Sequence, residues 1–226
     1  RAMGYMGNIE VIPNGSDTLW FGKKDHEKQN RIIFWKNRQD VDGSKFILIT
    51  TSRLVRKNAV DDVIRSLTML PKNVHFVILG IGPEEERLKK LSDQAGLQDR
   101  VHFFGEESNT DVANYLPMSD IFIRPSRSEG MGNSFIEAMA SGIPVIATQE
   151  GGIADFLFDA KRNPDKETTG FAVDKNSPEQ IAEAVREIIN NPLKVKKVVE
   201  TAKKVVIEKY DWNLIARDMK EKVFDR

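Results

Sequence analysis

The stretch Ile121-Phe122-Ile123-Arg124-Pro125-Ser126-Arg127-Ser128-Glu129-Gly130-Met131-Gly132-Asn133-Ser134-Phe135-Ile136-Glu137-Ala138-Met139-Ala140-Ser141-Gly142-Ile143-Pro144-Val145-Ile146-Ala147 decides the fold. Its two ends are short apolar runs that suit strands covered on both faces. Between them lie a glycine loop and a helix ending in Ala138, Ala140, Ser141 and Gly142, small residues that imply close packing. Strand, loop, helix and strand make a βαβ unit, and such units build parallel sheets. Two carboxylates, Glu129 and Glu137, stand eight positions apart with Gly130 and Gly132 between them. Glycine lets the backbone pass close to a ligand, and a helix start offers free N–H groups and a positive dipole end suited to phosphate. A carboxylate beside such a cradle repels phosphate and is better suited to accepting hydrogen bonds from sugar hydroxyls. The stretch therefore reads as one wall of a sugar-nucleotide pocket. With Asn133 or Ser134 as the helix cap, Glu137 falls about one turn inside the helix, ~6 Å along its axis.

Outward from this unit the alternation continues. Phe46-Ile47-Leu48-Ile49, Phe76-Val77-Ile78-Leu79, Val101-His102-Phe103-Phe104 and Gly170-Phe171-Ala172-Val173 are further apolar runs. Val60, Val63, Ile64, Leu67 and Leu70 recur at helical spacing. Glu84-Glu85-Glu86 after Pro83 puts acid in the first turn of a helix striped by Leu88, Leu91 and Ala95. The expected fold class is α/β, a Rossmann-like parallel sheet with helices on both faces and a helical C-terminal third. In that third, Ser177-Pro178-Glu179-Gln180 reads as a capping box. Asn190-Asn191-Pro192 breaks the helix, and Asp211 reads as the N-cap of a last helix carrying Trp212, Ile215, Ala216, Met219 and Val223. Before the sheet, Asn8-Ile9-Glu10-Val11-Ile12 alternates weakly and stops at the turn signal Pro13-Asn14-Gly15. Residues 21–45 are polar and basic around one apolar island, Ile32-Ile33-Phe34-Trp35, and read as a linker or surface excursion with one short strand or turn.

Composition narrows the function classes. Lys+Arg and Asp+Glu both number 34 in 226 residues, so nothing points to nucleic-acid binding by bulk charge. No run approaches the ~18 apolar residues of a membrane span, and no charged-then-apolar leader opens the chain. There is no cysteine, and the three histidines, His26, His75 and His102, lack ligand spacing. The expectation is a cytoplasmic, metal-independent protein.

Ligands of open parallel sheets bind beyond the carboxyl ends of the strands. The loop Thr50-Thr51-Ser52-Arg53-Leu54-Val55-Arg56-Lys57-Asn58 brings three cations to that edge. On spacing alone a solvated loop is the stronger reading, and a diphosphate clamp is the other. Gly80-Ile81-Gly82-Pro83 resembles a dinucleotide fingerprint only superficially. Glu85 stands where the third glycine belongs, so a plain turn is expected. Glu150-Gly151-Gly152 supplies another glycine loop. Two glycine-rich loops and one cationic loop at one sheet edge exceed ordinary turn chemistry.

Taken together, these residues resemble a known family. Glu129 through Glu137 is similar to the E-x7-E motif of retaining glycosyltransferases with the GT-B fold, the group-1 family. Ser52-Arg53-Leu54-Val55 resembles the family's phosphate loop, and Val101-His102-Phe103-Phe104-Gly105 its strand before the base pocket. Pro125-Ser126 precedes Glu129 as in the family, and the run from Glu137 to Ala147 is a specific match. The likeness covers about residues 46–210, and Val11-Ile12-Pro13-Asn14-Gly15-Ser16-Asp17 resembles the junction entering this domain.

The resemblance implies a nucleoside-diphosphate sugar as substrate and no metal or other cofactor. Arg53 would hold the donor diphosphate with help from a lysine. The family's lysine falls where this chain has Asn58, followed by glycine where it has Ala59, and Lys57, one residue early, is the candidate substitute. Glu129 would meet hydroxyls of the transferred sugar, with Met131, Gly132, Asn133 and Ser134 beside the sugar and phosphates. Glu137 would accept both ribose hydroxyls, and Gly105, Glu106 and Glu107 would pass the base. Glu129, Arg53 and Lys57 are the implied catalytic set of a hexosyltransferase that retains anomeric configuration. The implied layout is an inter-domain junction over residues 1–20, the linker over 21–45, a donor-binding domain over 46–210, and a helix over 211–226 that packs on an N-terminal domain missing from this chain. That domain would receive a sugar, lipid or protein acceptor, peripheral to the inner membrane face at most, and this chain alone would bind nucleotide without transferring sugar. The alternatives are a stand-alone nucleotide-sugar binding module and a GT-B-shaped sugar-nucleotide epimerase.

Overall fold

Six runs of β-branched and large apolar side chains become strands: β1 (Phe46–Thr51), β2 (Val74–Leu79), β3 (Val101–Gly105), β4 (Ile121–Arg124), β5 (Val145–Ala147) and β6 (Phe171–Ala172). The structure is a computed structural model and describes residues 11–22, 34–35 and 44–225. Every strand pair is parallel, in the order β3-β2-β1-β4-β5-β6. Ile143 and Pro144 stay outside β5, because proline lacks the N–H a central ladder needs. The carbonyl of Pro144 still accepts from Phe122 N at 3.0 Å.

Parallel neighbours need crossovers, and helices supply them. After α1 (Thr18–Gly22), which precedes the sheet, the crossover helices are α2 (Val60–Leu67), α3 (Glu85–Gln94), α4 (Asn109–Tyr115) and α5 (Asn133–Ala140), and α6 (Pro178–Asn190), α7 (Pro192–Tyr210) and α8 (Trp212–Met219) follow the last strand. Alternation along each strand divides the core between the two faces of the sheet. Ile47, Ile49 and Phe122 join Phe135, Phe156, Val206 and Tyr210 in one apolar layer. Leu48, Ile121 and Ile123 join Ile64, Leu67, Ile181 and Val185 in the other. The strand order reverses between β1 and β4, so the topological switch point lies at their carboxyl ends.

Two local expectations come out differently. Phe34 and Trp35, read as part of a surface excursion, are packed into the core. Trp35 is fully buried, donates Nε1–H to the Met118 carbonyl at 2.7 Å, and lies against Phe104 and Tyr115. Residues 23–33 and 36–43 of that stretch, and Asn8 to Glu10 of the weak alternation, lie outside the described residues; Val11 is exposed. The capping box at α6 does not form, since the Ser177 side chain makes no cap bond. Gln180 instead pairs with Asp174, accepting from its N–H at 2.9 Å and donating to its carboxylate at 2.8 Å.

Asp211 is the cap its sequence position indicates, accepting from Asn213 N at 3.0 Å. It also accepts the Thr18 hydroxyl at 2.6 Å. Ser16 completes this seam, donating to the Tyr210 carbonyl and accepting from Trp212 N, each at 3.0 Å. The entering segment is thereby tied to the α7–α8 corner. Burial alone would raise the Asp211 pKa, but hydrogen bonds from Thr18, Asn213 and Leu19 outweigh it and hold the carboxyl below its ordinary 3.8. A depressed carboxylate contributes stability above its unfolded pKa and loses it as pH falls through the folded value. Asp211→Ala is therefore expected to cost about 1–2 kcal/mol at neutral pH. Urea unfolding of both proteins should show that difference shrinking below pH 3.8.

Candidate functional site

The two loops that leave β1 and β4 face each other at the switch point and enclose a cleft of about 460 Å³. Arg53, Lys57 and Asn58 line one side, and Arg124, Glu129, Gly132, Asn133 and Ser134 the other. Arg53 also borders a second depression of about 440 Å³ with Gly80, Gly82 and Glu106. Residues from the loop after β1, the Gly80-Ile81-Gly82 segment and the loop after β3 thus adjoin one another through Arg53.

Each wall is held from behind. Leu54 donates to the Ile81 carbonyl at 2.9 Å and accepts from Glu84 N at 3.1 Å. Gly80-Ile81-Gly82 therefore packs on the loop after β1 and leads into a turn at Pro83-Glu84, as its charge pattern indicates. Asn58 is buried, and its amide donates to the Arg53 carbonyl at 2.7 Å, so it braces the loop and supplies no charge. Arg53 and Lys57 are exposed to solvent. Ala59, where the family pattern has glycine, keeps the left-handed backbone at φ 55°. Arg127 ties this loop to the next: its N–H reaches the Lys57 carbonyl at 2.7 Å and its guanidinium pairs with Asp61 at 3.0 Å and Asp62 at 2.7 Å. Burial opposes ionisation of Asp61, but the hydrogen bond and charge of Arg127 keep its pKa below the ordinary 3.8.

The helix start differs from the expected one. Gly132, not Asn133 or Ser134, is the N-cap of α5, with φ 68° and no side chain on the first amides. A Cβ here would meet Arg124 Nη2 at 2.5 Å and Phe135 at 2.8 Å, so glycine is required by both backbone and neighbours. On the far side, a Cβ at Gly151 would fall 2.0 Å from the Glu129 carbonyl, so Glu150-Gly151-Gly152 fixes the Glu129 loop by backbone contact.

The two glutamates are in different surroundings. Glu129 pairs with Arg124 Nη2 at 2.8 Å and accepts from its neighbour Gly130 N at 3.1 Å. Both charged side chains are largely buried, Arg124 at 8% exposure and Glu129 at 11%. Arg124 also donates to the Thr51 carbonyl at 3.2 Å and Ser134 Oγ at 2.8 Å, and its guanidinium lies 4.3 Å from the Phe135 ring centre. Glu137 does not line the cleft. It sits deeper on α5 under the entering segment, where Ser16 Oγ approaches Oε1 at 3.4 Å and Asn14 donates to Asn133 at 3.0 Å. Burial raises the Glu137 pKa above its ordinary 4.5, against the lowering effects of Ser16 and Arg124. Met131 packs on the core, and Glu107 accepts from the Tyr115 hydroxyl at 3.3 Å. Gly105 adopts φ 79° at the end of β3, and its carbonyl accepts from Gly80 N.

Sequence reasoning passed over Arg124, Arg127 and Ser16. Arg124 carried a signal, since a cation closing the apolar run Ile121-Phe122-Ile123 must lie at the sheet edge or be paired. Arg127 and Ser16 carried none, because their partners are distant in sequence.

The architecture is that of a Rossmann-like domain, one half of a GT-B fold. The family model described as glycosyl transferases group 1 matches residues 7–205, and the chain belongs to that family. Among curated relatives, a GDP-mannose-dependent alpha-(1-6)-phosphatidylinositol monomannoside mannosyltransferase of Mycobacterium tuberculosis is 27% identical over 95% of this chain and 55% of its own length. The chain thus spans about half the length of this relative. HepE of Anabaena, crystallised with UDP-glucose, superposes with a TM-score of 0.84 over 96% of this chain and 57% of HepE, at 21% identity. The C-terminal domain of LpcC, a glycosyl transferase group 1 protein of Francisella tularensis, is covered over 100% of its length and 88% of this chain, with a TM-score of 0.73 and 23% identity. No helix among the described residues is long and apolar enough to cross a membrane.

Proposed function

We propose that this chain is the donor-binding half of a retaining glycosyltransferase that uses a nucleoside-diphosphate sugar. The observation that carries this reading is the switch-point cleft, where exposed Arg53 and Lys57 oppose Glu129 and the uncapped start of α5. Negative charge develops on the departing diphosphate, and fixed cations with helix amides stabilise it in place, so no metal is needed. Glu129 lies across the cleft from these cations, where it accepts hydroxyls of the transferred sugar. Glu137 takes the ribose hydroxyls, and the Gly105-Glu106-Glu107 loop passes the base. The names of the relatives support a nucleotide sugar, GDP-mannose for one and UDP-glucose for another.

The acceptor, whether sugar, lipid or protein, meets the donor through a second domain on the cytoplasmic side. Trp212, Met219, Val223 and Phe224 are exposed along and beyond α8, while Ile215 is buried. We assign that exposed face to the second domain. On this reading the isolated chain binds donor and leaves it intact. The test is to incubate it with UDP-glucose, GDP-mannose and ADP-glucose and follow each by NMR. Saturable binding of one donor without turnover is expected, whereas interconversion of sugar epimers would establish an epimerase instead.

A further inference from the structure

We propose that Arg124 is a third cation of the diphosphate site, buried where Arg53 and Lys57 are exposed, and that Glu129 is the counter-ion which a diphosphate displaces. This rests on the donor-binding reading above and adds to it a residue from the strand rather than from the phosphate loop. Arg53 and Lys57 are exposed at the rim, where water screens them. Arg124 lines the same cleft and is buried, in a setting where a charge acts more strongly. Its guanidinium is fixed by Thr51, Ser134 and the Phe135 ring, so it is oriented before any ligand arrives.

The guanidinium also has donors left over. Of its five N–H groups, Nε–H is buried without a partner, and Nη2 has Glu129 as its one named acceptor. Thr50, Thr51, Ser52 and Asn58 also hold buried side-chain oxygens without partners. Five of the six such orphaned atoms among the described residues belong to the end of β1, the loop after it and Arg124, and of these residues Asn58 and Arg124 line the cleft. Buried polar groups are normally satisfied, and such a concentration marks a place built for a polar ligand. The glycine at 132 is what leaves the guanidinium open to the helix amides, since a Cβ there would meet Nη2. A phosphate between Nη2 and the first amides of α5 takes over the role of the Glu129 carboxylate. Glu129 is then released to accept sugar hydroxyls. Phosphate binding and sugar recognition are coupled through this exchange.

The experiment is calorimetry with the nucleoside diphosphate that binds the wild type, and with the matching nucleoside, on the wild type, Arg124→Gln, Arg124→Lys and Arg124→Gln/Asn58→Lys. Gln keeps an amide donor at this buried position while removing the charge. The Lys at 58 returns a charge from the opposite wall of the same cleft. Arg124→Gln is expected to lose about tenfold to a hundredfold in diphosphate affinity. Nucleoside affinity should stay unchanged, with partial recovery in Arg124→Lys and in the double variant. Unchanged diphosphate binding by folded Arg124→Gln and Arg124→Lys would overturn the proposal and leave Arg124 as a positioning residue for Glu129. Equal loss of diphosphate and nucleoside would overturn it in favour of a structural role. A wild type that binds none of UDP, GDP and ADP would instead remove the donor-site reading, and this proposal with it.

Discussion

Glu137→Ala is expected to weaken nucleoside-diphosphate binding about a hundredfold, the loss of two charge-assisted hydrogen bonds of about 1.5 kcal/mol each. The contact now made with Ser16, at 3.4 Å, is long, so a ribose hydroxyl replaces it at little cost. Glu129→Ala should behave differently, binding free nucleoside diphosphate nearly as the wild type does and losing its preference for the sugar-bearing form. Equal effects from both substitutions would remove the division of labour. The pH dependence has a definite sign. In the proposed role Glu137 meets the ribose as an ionised carboxylate, and burial holds its pKa above 4.5. Affinity should therefore rise with pH through that raised value, and start to fall on acidification while exposed carboxylates are still ionised. Glu137→Gln should lack this limb, so the wild-type to variant affinity ratio is the quantity to plot.

Trp35→Ala is expected to be the most damaging single truncation for stability, costing about 3–5 kcal/mol in chemical denaturation. The side chain has no exposed surface and fills the layer formed by Phe104, Tyr115 and Met118. Truncation also strands the Met118 carbonyl that its indole N–H satisfies. A change below about 1 kcal/mol would mean that Trp35 is dispensable to the core, as a surface excursion would be.

That residue also shows where sequence reading ran out. The sheet was legible because strands buried on both faces leave near-continuous apolar runs, and all six runs became strands. Trp35 lay in a polar stretch with no periodicity, and only tertiary contacts reveal that it is core. The Ser177 box had the right residues but lost Gln180 to Asp174, a competition no local pattern encodes. In the site, spacing alone favoured a solvated loop for Arg53 and Lys57, and only the family resemblance joined them to Glu129; the structure lines one cleft with all three. The Arg124–Glu129 pair was not legible, because the two side chains meet only once the β4 loop folds back over the strand end. Likewise the cover that Asn14 and Ser16 place over α5 comes from residues more than a hundred positions away.

The central claim is that the switch-point cleft takes a nucleoside diphosphate. Calorimetric titration of this chain with UDP, GDP and ADP, with NAD as the control, tests it most directly. The account predicts saturable binding of at least one of the three diphosphates and no binding of NAD. Binding of NAD together with indifference to all three diphosphates would contradict it.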